Sequence, residues 1–247
     1  MFVAGSSRGI GKGIAAVFLN EGARVTITGR DARSVAETCA ALSTGRAGRV
    51  MSCVGDLSDP DAVREALHQT TQRWGAVDCL VCNIGSGTAR TGWELARSDW
   101  DPVFRINFWA AAGLVEAFLP GMVKARSGNI VFISSIAGLE SLGAPLPYGA
   151  AKAALEHFSK DLSRQVGKFG IRVNTVAPGN ILFPDGSWQR KLDTDRDKIS
   201  ATIAAEVPLG RFGDPEEIGA AVAFLASRQA AFVTGACLVA DGGQTRA

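Results

Sequence analysis

Short apolar runs alternate with longer amphipathic runs along all 247 residues of the chain. Seven of the apolar runs are strand candidates: "MFVAG", "ARVTITG", "GRVMSCVGD", "VDCLVCNIG", "NIVFISS", "IRVNTVAPG" and "CLVADGG". Most are apolar throughout rather than at every second position, which is typical of parallel strands covered on both faces. The repeated β-α units predict an α/β fold with an open parallel sheet and right-handed crossovers.

The segments between these strands contain five strong helix candidates: Ile10–Asn20, Asp61–Trp74, Asp99–Lys124, Tyr148–Phe169 and Pro215–Ser227. The fourth carries one apolar stripe at the helical period. No Pro/Ser-rich linker, low-complexity tract or fixed-period repeat divides the chain, so we predict a single domain over residues 1–247. The long strand-free stretch at about 182–213 is predicted to be a functional substrate lid.

The composition argues against several classes of protein. With 47% hydrophobic and 20% charged residues and a net charge of +2, the chain is too weakly charged to indicate nucleic acid or an acidic membrane as its partner. No apolar run approaches the ~18 residues that span a bilayer, and "MFVAGSS" lacks the features of a signal peptide. We therefore expect a cytoplasmic protein with no membrane or nucleic-acid partner.

The cysteines and histidines do not predict a metal site. Five cysteines are an odd number, which disfavours a disulfide scaffold. Cys79 and Cys82 spell C-x-x-C, but they lie in a predicted buried strand, where residues three apart point to opposite faces. His68 and His157 stand alone in helical segments, so we expect neither a metal site nor a His-based triad.

A glycine-rich loop joins the first strand to the first helix in "AGSSRGIGKGIA". Glycines let the backbone approach a pyrophosphate, and the helix N-terminus offers free N–H groups and a positive dipole end. A tight turn without a ligand is the alternative, but the position at the head of a β-α-β unit favours dinucleotide binding. The predicted cofactor-binding residues here are Gly5, Ser6, Ser7, Arg8, Gly9, Ile10 and Gly11.

The end of the second strand bears on the choice between NAD and NADP. An acidic residue there would bind the ribose hydroxyls and repel a 2′-phosphate, but Gly29 occupies that position. Arg30 follows it, and Arg8 lies in the glycine loop, so two guanidinium groups favour a phosphate. Both arginines being merely solvated is the alternative, and Asp31 weakens the argument slightly. We expect NADP to be favoured over NAD.

The only tyrosine of the chain, Tyr148, lies four residues before Lys152 in "PLPYGAAKAAL". A lysine ammonium one helical turn away favours the phenolate and should lower the phenol pKa from about 10. Such a tyrosine suits general acid/base catalysis on an alcohol–ketone pair. A partly buried structural phenol beside a solvated lysine is the alternative.

The chain resembles the short-chain dehydrogenases/reductases over essentially its whole length. Within that family it is most similar to the 3-oxoacyl-carrier-protein reductases and related ketoreductases. The motifs that carry the resemblance are "GSSRGIG", "GDLSD", "CNIG", Asn107 in "RINFWA", "FISS", "YGAAK" and "APG". The resemblance implies a Rossmann-like doubly wound parallel sheet of about seven strands with helices on both faces.

The same resemblance assigns catalytic roles. It places the substrate oxygen on Ser135, thirteen residues before Tyr148, and not on Ser134. It gives Lys152 the nicotinamide ribose hydroxyls as well as the effect on Tyr148, so both residues also count as cofactor-binding. It has Asn107 position a water that links Lys152 to solvent.

Further cofactor contacts follow from matching motifs. The expected residues are Asp56 and Leu57 at the adenine, Asn83, Ile84 and Gly85 in the cleft, and Pro178, Gly179 and Ile181 at the nicotinamide. The chain departs from the family pattern at Ala4, Cys82 and Ile84, and Phe183 stands where a threonine commonly binds the nicotinamide amide.

Together these features predict an NADP-dependent ketoreductase that acts on a small carbonyl or alcohol, with a 3-oxoacyl thioester as the first candidate substrate. An NAD(P)-dependent dehydrogenase of a sugar, polyol or other secondary alcohol is the first alternative, and a non-catalytic NADPH-binding regulator is the second. Specificity should lie in Leu182–Val207 and Gly138–Pro147, where Phe183 and Trp188 either wall the pocket or pin the lid. Small residues in the third and fourth predicted helices allow close helix approach, and the resemblance implies that these two helices pair across a two-fold axis, which favours a homotetramer.

Overall fold

The structure is a computed structural model that describes residues 1–246. Its strands are β1 (Phe2–Ala4), β2 (Val25–Gly29), β3 (Val50–Val54), β4 (Cys79–Cys82), β5 (Gly128–Ile133), β6 (Ile171–Pro178) and β7 (Cys237–Ala240). They form one sheet of seven parallel strands in the order β3-β2-β1-β4-β5-β6-β7. Every predicted apolar run contributes a strand, and the predicted Rossmann-like α/β fold is confirmed.

The helices are α1 (Gly9–Asn20), α2 (Ala32–Ser43), α3 (Pro60–Trp74), α4 (Arg97–Phe104), α5 (Ala110–Ala125), α6 (Leu146–Val166), α7 (Ser187–Thr194), α8 (Arg196–Glu206) and α9 (Pro215–Ala226). Local signals start several of them: Asp59 accepts a hydrogen bond from the Asp61 N–H at the start of α3, and Pro60 takes the first helical position. The predicted helix Asp99–Lys124 consists of α4 and α5 joined by a π-helical turn.

Helices cover both faces of the sheet. On one face Phe2, Leu80 and Phe132 pack against α3, α5 and α6. On the other face Val3 and Val81 pack against α1 and α9. The two cysteines of the C-x-x-C sequence lie in different clusters, Cys79 in the second and Cys82 in the first. This confirms that their side chains point to opposite faces, where burial raises the pKa of the Cys79 thiol to about 12.

The order of the strands places a crevice at one edge of the sheet. The chain leaves β1 toward β2 on one side, whereas β4 leads toward β5 on the other. In open α/β sheets such a switch point opens a ligand-binding crevice at the carboxyl ends of the strands. The glycine-rich loop follows β1, and the segment Asn83–Gly85 follows β4. The predicted cofactor residues therefore meet at this edge.

The helical run Arg97–Ala125 is long and apolar enough to cross a membrane by length and composition alone. No single uninterrupted apolar run had suggested this. Its inner side packs on the sheet through Leu114, Phe118 and Met122, all at most 3% exposed. The run is thus a core helix of the sheet, with charged residues such as Arg105, Glu116 and Lys124 on its exposed side.

Candidate active site

The glycine-rich loop forms a cradle at the end of β1. Gly5 and Gly9 have φ angles of 65° and 55°, which glycine adopts without strain. A Cβ at Gly11 would lie 2.3 Å from the Gly5 carbonyl oxygen, so α1 can start this close only without a side chain there. Within the described residues no side chain caps the N-terminus of α1. Its free N–H groups fit the pyrophosphate of NAD(P).

Two polar side chains hold this loop in shape. Ser6 is fully buried; its hydroxyl donates to the Val3 carbonyl at 2.6 Å and accepts from the Thr28 N–H at 2.8 Å. Asn83 donates its amide to the Gly5 carbonyl at 2.8 Å. Both residues thus support the cradle from behind.

The residues at the end of β2 leave no room for an acidic side chain. A Cβ at Gly29 would lie 2.7 Å from the Ser7 hydroxyl oxygen and 2.8 Å from a methyl of Val35. Arg8 and Arg30 are exposed nearby, and neither guanidinium group makes a hydrogen bond or ion pair within residues 1–246, although Arg30 is near enough to lower the pKa of Asp56. Both guanidinium groups are therefore available to an anionic ligand.

The nearby acidic groups are already engaged. Asp31 accepts hydrogen bonds from the Ser34 N–H at 2.8 Å and its hydroxyl at 2.7 Å, which caps α2 and lowers the pKa of Asp31. Asp56 accepts from the Ser58 N–H at 3.0 Å and lies 4.0 Å from the Arg105 guanidinium. Asp31 therefore keeps its negative charge, and its side chain is turned to the N-terminus of α2.

A short turn after Ser135 and its close packing on α6 bring Ser135 to Tyr148. A 3₁₀ turn at Ile136–Gly138 follows Ser135, whose hydroxyl accepts from the Ala137 N–H at 3.2 Å. A Cβ at Gly149 would lie 2.9 Å from the Ala137 carbonyl oxygen, so the turn packs directly on α6. The Ser135 hydroxyl consequently lies close enough to the Tyr148 phenol to favour a lower phenol pKa.

Lys152 and Asn107 are buried next to this pair. Lys152 is 3% exposed and donates its ammonium to the Ile133 carbonyl at 2.9 Å. Asn107 lies on the π-helical turn Arg105–Trp109, an irregularity that often marks functional sites. Its side-chain oxygen accepts from the Ser86 N–H at 3.0 Å, and its amide donates to the Ser86 carbonyl at 3.1 Å.

Gly85 is the point at which these two side chains converge. A Cβ there would lie 2.8 Å from the Asn107 side-chain oxygen and 3.1 Å from the Lys152 ammonium nitrogen. The structure therefore brings all four predicted catalytic residues, Asn107, Ser135, Tyr148 and Lys152, to one end of the sheet.

The electrostatics of the site differ from the prediction for Tyr148. Burial raises the pKa of the Tyr148 phenol, and the Ser135 hydroxyl opposes this only in part. The predicted lowering by Lys152 is wrong in this structure because the ammonium is turned to Ile133 and lies 5.9 Å from the Tyr148 ring centroid. Burial lowers the pKa of Lys152 itself to about 8.

Phe183 and Trp188, both in the predicted lid segment, pack against other parts of the chain. The Phe183 ring lies against Gly9, where a Cβ would be 2.7 Å from a ring carbon. Trp188 packs on Phe212 with ring centroids 5.6 Å apart, and the Lys191 ammonium lies 4.0 Å from the Trp188 ring centroid. Of the two alternatives for these aromatic residues, these contacts favour pinning the lid.

Among the remaining predicted cofactor residues, Leu57 and Ile181 are 4% and 5% exposed. Their side chains pack in the core, so any contact with a cofactor must come from their backbone. Ile84 approaches Gly5, and Gly179 packs on Asp241 at the end of β6 beside Pro178.

Two serines in the site were not predicted. The Ser86 backbone holds Asn107, and Ser134 donates its hydroxyl to the Lys152 carbonyl at 3.3 Å. The position of Ser86 directly after "CNIG" is the one sequence signal that pointed to this segment.

Comparisons with known proteins agree with this geometry. A family model described as enoyl-(acyl carrier protein) reductase matches residues 4–245. The 3-oxoacyl-[acyl-carrier-protein] reductase FabG of Chlamydia muridarum is 38% identical over 98% of this chain and 95% of its own length. The L-sorbose reductase of Gluconobacter frateurii, in complex with NADPH and L-sorbose, is 31% identical with a TM-score of 0.93, over 100% of this chain and 96% of its own. A 3-oxoacyl-[acyl-carrier protein] reductase from Brucella melitensis with bound NAD is 33% identical with a TM-score of 0.88, over 100% and 90%.

Proposed function

Because the chain belongs to the short-chain dehydrogenase/reductase family, and so is an NAD(P)-dependent oxidoreductase acting on C=O and CH–OH groups, we propose that it is an NADPH-dependent 3-oxoacyl-thioester reductase. The observation that carries the proposal is the approach of Ser135 to Tyr148 beside buried Lys152. This group lies at the same edge of the sheet as the glycine cradle. A site that only binds the cofactor has no need of it.

In the proposed reaction the chain's own residues manage the carbonyl oxygen. Bound NADPH would supply a hydride to the carbonyl carbon. Ser135 donates a hydrogen bond that polarises the carbonyl, and Tyr148 gives its proton to the oxygen. A raised phenol pKa suits this direction, because it keeps Tyr148 in the protonated form that a reduction consumes. Lys152 binds the ribose hydroxyls of the cofactor, and Asn107 connects Lys152 to solvent.

The preference for NADPH rests on the arginines at the adenosine end. Gly29 excludes an acid, whereas the exposed guanidinium groups of Arg8 and Arg30 make no hydrogen bond or ion pair within the described residues. A related structure has NADPH bound and another has NAD, so the choice depends on this chain's own residues.

The thioester substrate rests on the curated relative and on apolar side chains near the site. Leu139, Leu142 and Leu146 are 42%, 37% and 52% exposed in the segment between Ser135 and Tyr148, where an acyl chain would lie. A sugar or polyol carbonyl is the second candidate substrate, because the sorbose reductase matches the whole chain. We also propose that the enzyme is cytoplasmic and assembles as a homotetramer.

The test is NADPH oxidation by the purified protein with an acetoacetyl thioester, L-sorbose and a cyclic ketone. We expect the thioester to be reduced fastest, and Tyr148→Phe to keep NADPH binding while turnover falls at least ~10²-fold. Faster reduction of sorbose would favour the sugar reductase. NADPH binding without turnover of any ketone would favour the regulator, and a fully active Tyr148→Phe variant would refute the acid role of the phenol.

A further inference from the structure

The segment Asp241–Arg246, directly after β7, is folded around one carboxylate. Asp241 accepts hydrogen bonds from the Gly243 N–H at 2.8 Å, from the Thr245 N–H at 2.7 Å and from the Thr245 hydroxyl at 2.8 Å. Hydrogen bonds to an ionised acceptor are the strong ones, so this backbone is held in one shape. We call Asp241–Arg246 the strap.

The strap contacts the end of the predicted lid. The Leu209 N–H donates to the Gly242 carbonyl at 3.1 Å. A Cβ at Gly242 would lie 2.7 Å from a methyl carbon of Val207, and one at Gly243 would lie 3.1 Å from a ring carbon of Pro208. The backbone of the strap therefore lies directly against three successive residues of the lid.

Gln244 in the strap uses both ends of its side-chain amide. Its oxygen accepts from the Asn180 side-chain amide at 2.9 Å, and its nitrogen donates to the Glu206 carboxylate at 3.4 Å. Asn180 lies just after β6, and Glu206 is the last residue of α8 in the lid. Gln244 therefore joins the loop after β6 to the lid helix α8.

The strap also reaches the second segment expected to control specificity, Gly138–Pro147, which we call the acyl segment. The Arg246 N–H donates to the Glu140 carboxylate at 2.8 Å. Glu140 lies between Leu139 and Leu142, the partly exposed side chains along which we propose that the acyl chain lies. One short stretch of chain thus contacts both the lid and the acyl segment.

A cavity of about 160 Å³ lies beside this connection. It is lined by Val207 and Leu209 of the lid, Ile218 of α9, and Asp241 and Gly242 of the strap. Side chains that border an unfilled space lack packing partners on that side, so little opposes a small shift of the lid end toward it. The hydrogen bonds of the strap therefore matter for where the lid end lies.

We propose that the strap fixes the lid relative to the acyl segment, with Gln244 as its positioning residue. It thereby favours thioesters whose acyl chain is long enough to lie along Leu139 and Leu142. Burial of one methylene strengthens binding by about fourfold, so a chain longer than acetoacetyl gains most from these leucines. The substrate preference rests on the proposed function, whereas the link between lid and acyl segment does not.

Hydrogen exchange followed by mass spectrometry tests this link without substrate or cofactor. We expect Gln244→Ala to speed exchange in peptides from α8 by about 3- to 10-fold, because the variant loses the hydrogen bonds to Asn180 and Glu206. Gln72→Ala, the same change on the exposed side of α3, is the matched control and should leave exchange in α8 unchanged.

A second pair of variants tests the contact with the acyl segment. Arg246→Pro removes the N–H that Glu140 accepts and should speed exchange in residues 138–147 by about 2- to 10-fold. Arg246→Ala loses the same side chain but keeps the N–H, so exchange in this segment should stay at the parent rate.

A comparison of KM with kcat separates this role from a merely structural one. The unsubstituted enzyme should have a KM for a 3-oxooctanoyl thioester at least about 10-fold below that for the acetoacetyl thioester. In Gln244→Ala the KM for the longer thioester should rise about 3- to 10-fold. The kcat for the acetoacetyl thioester and the Kd of NADPH should stay within about twofold, because the variant leaves the catalytic group and the glycine cradle untouched.

Equal exchange of α8 in Gln244→Ala and Gln72→Ala would overturn the link, and an unchanged ratio of KM values in a variant with faster exchange would overturn the effect on specificity. If neither strap variant folds, the unsubstituted protein still decides. Its Leu209, Thr245 and Arg246 amides, followed by NMR, should exchange at least about 10-fold more slowly than unstructured amides, and unprotected amides would refute the strap. A protein that reduces no thioester would refute the proposed function and the acyl preference with it, while the exchange measurements still decide the link.

Discussion

Gly85 leaves room for the two buried catalytic side chains that meet above it. A methyl group added at Gly85 would lie 2.8 Å from the Asn107 oxygen and 3.1 Å from the Lys152 ammonium nitrogen, and both distances are shorter than an ordinary van der Waals contact. Neither can retreat easily, because Asn107 is held by the Ser86 backbone and Lys152 by the Ile133 carbonyl. The glycine therefore has a specific role in the geometry of the site.

Gly85→Ala should consequently lower turnover by about 10- to 100-fold, as expected when a catalytic group is displaced by a fraction of an ångström. The overall fold, read by circular dichroism, should be retained. Gly87→Ala is the matched control, since a Cβ there would meet only the Tyr148 ring at 4.0 Å, an ordinary contact. Equal rates for the two variants would show that the crowding at Gly85 is relieved without cost.

Arg30 should discriminate between the two nicotinamide cofactors. Loss of one charge-assisted contact to a 2′-phosphate costs about 1.5–3 kcal/mol, so Arg30→Ala should weaken NADPH binding by roughly 10- to 100-fold. NADH, which lacks that phosphate, should bind almost as before. Kd values from quenching of tryptophan fluorescence measure both, and tighter binding of NADH to the unsubstituted protein would contradict the preference.

The residues of the site were predictable where the chemistry is local. The spacing of Ser135, Tyr148 and Lys152 follows from one helix and the turn before it, and both can be seen in the sequence. The direction of the Tyr148 pKa shift was not predictable, because it depends on burial and on where the lysine ammonium points.

Among the elements, the strands and the amphipathic helices were predictable, but the two helices α7 and α8 within the predicted lid were not. The seven apolar runs each form a strand; five are largely buried, whereas β3 and β7 at the two edges of the sheet are partly exposed. In contrast, α7 has only 8 residues, and the apolar residues of α8 do not collect on one side. A sequence without an apolar stripe gives no sign of such helices, which depend on packing contacts such as Trp188 on Phe212.

The contact between α1 and α9 depends on glycine and gives a prediction about stability. A Cβ at Gly13 would lie 2.5–2.7 Å from atoms of Pro215, including its backbone. Gly13→Ala should therefore lower the free energy of unfolding by about 1–3 kcal/mol despite the better helix propensity of alanine. Because α1 also carries the glycine cradle, NADPH binding should weaken as well.

The control for this prediction is Gly121→Ala on α5, where a Cβ would meet nothing within 4 Å of it in the chain. That variant should be neutral or more stable by up to about 1 kcal/mol. Urea unfolding at one fixed protein concentration measures both variants. A Gly13→Ala protein as stable as Gly121→Ala would mean that the two helices can separate freely.

At the scale of the whole molecule, the outer side of the long helical run Arg97–Ala125 carries Trp109 and Gly113 between the exposed Arg105 and Glu116. Trp109 is 62% exposed, and Gly113 has no neighbouring atom within 4 Å of a built Cβ. Not every small residue considered for assembly is available, because Ala110, Ala111 and Ala151 are buried against the sheet. Ala112 and Gly113 on α5, with Ala150, Ala153 and Ala154 on α6, remain at least partly exposed.

Pairing of the exposed faces of α5 and α6 with a second copy of the chain would bury Trp109. A second interface of the resulting dimer would give the proposed tetramer. Light scattering at micromolar concentration should then report about four times the chain mass of 25.8 kDa. Trp109→Glu should shift the protein to dimers or monomers, because an unpaired carboxylate in the interface is costly. Ala36→Glu, an equal change on the exposed side of α2, should leave the mass unchanged. A parent protein that scatters light as a single chain would rule out the assembly. If that protein also pelleted with lipid vesicles, the face that carries Trp109 would be assigned to a membrane instead.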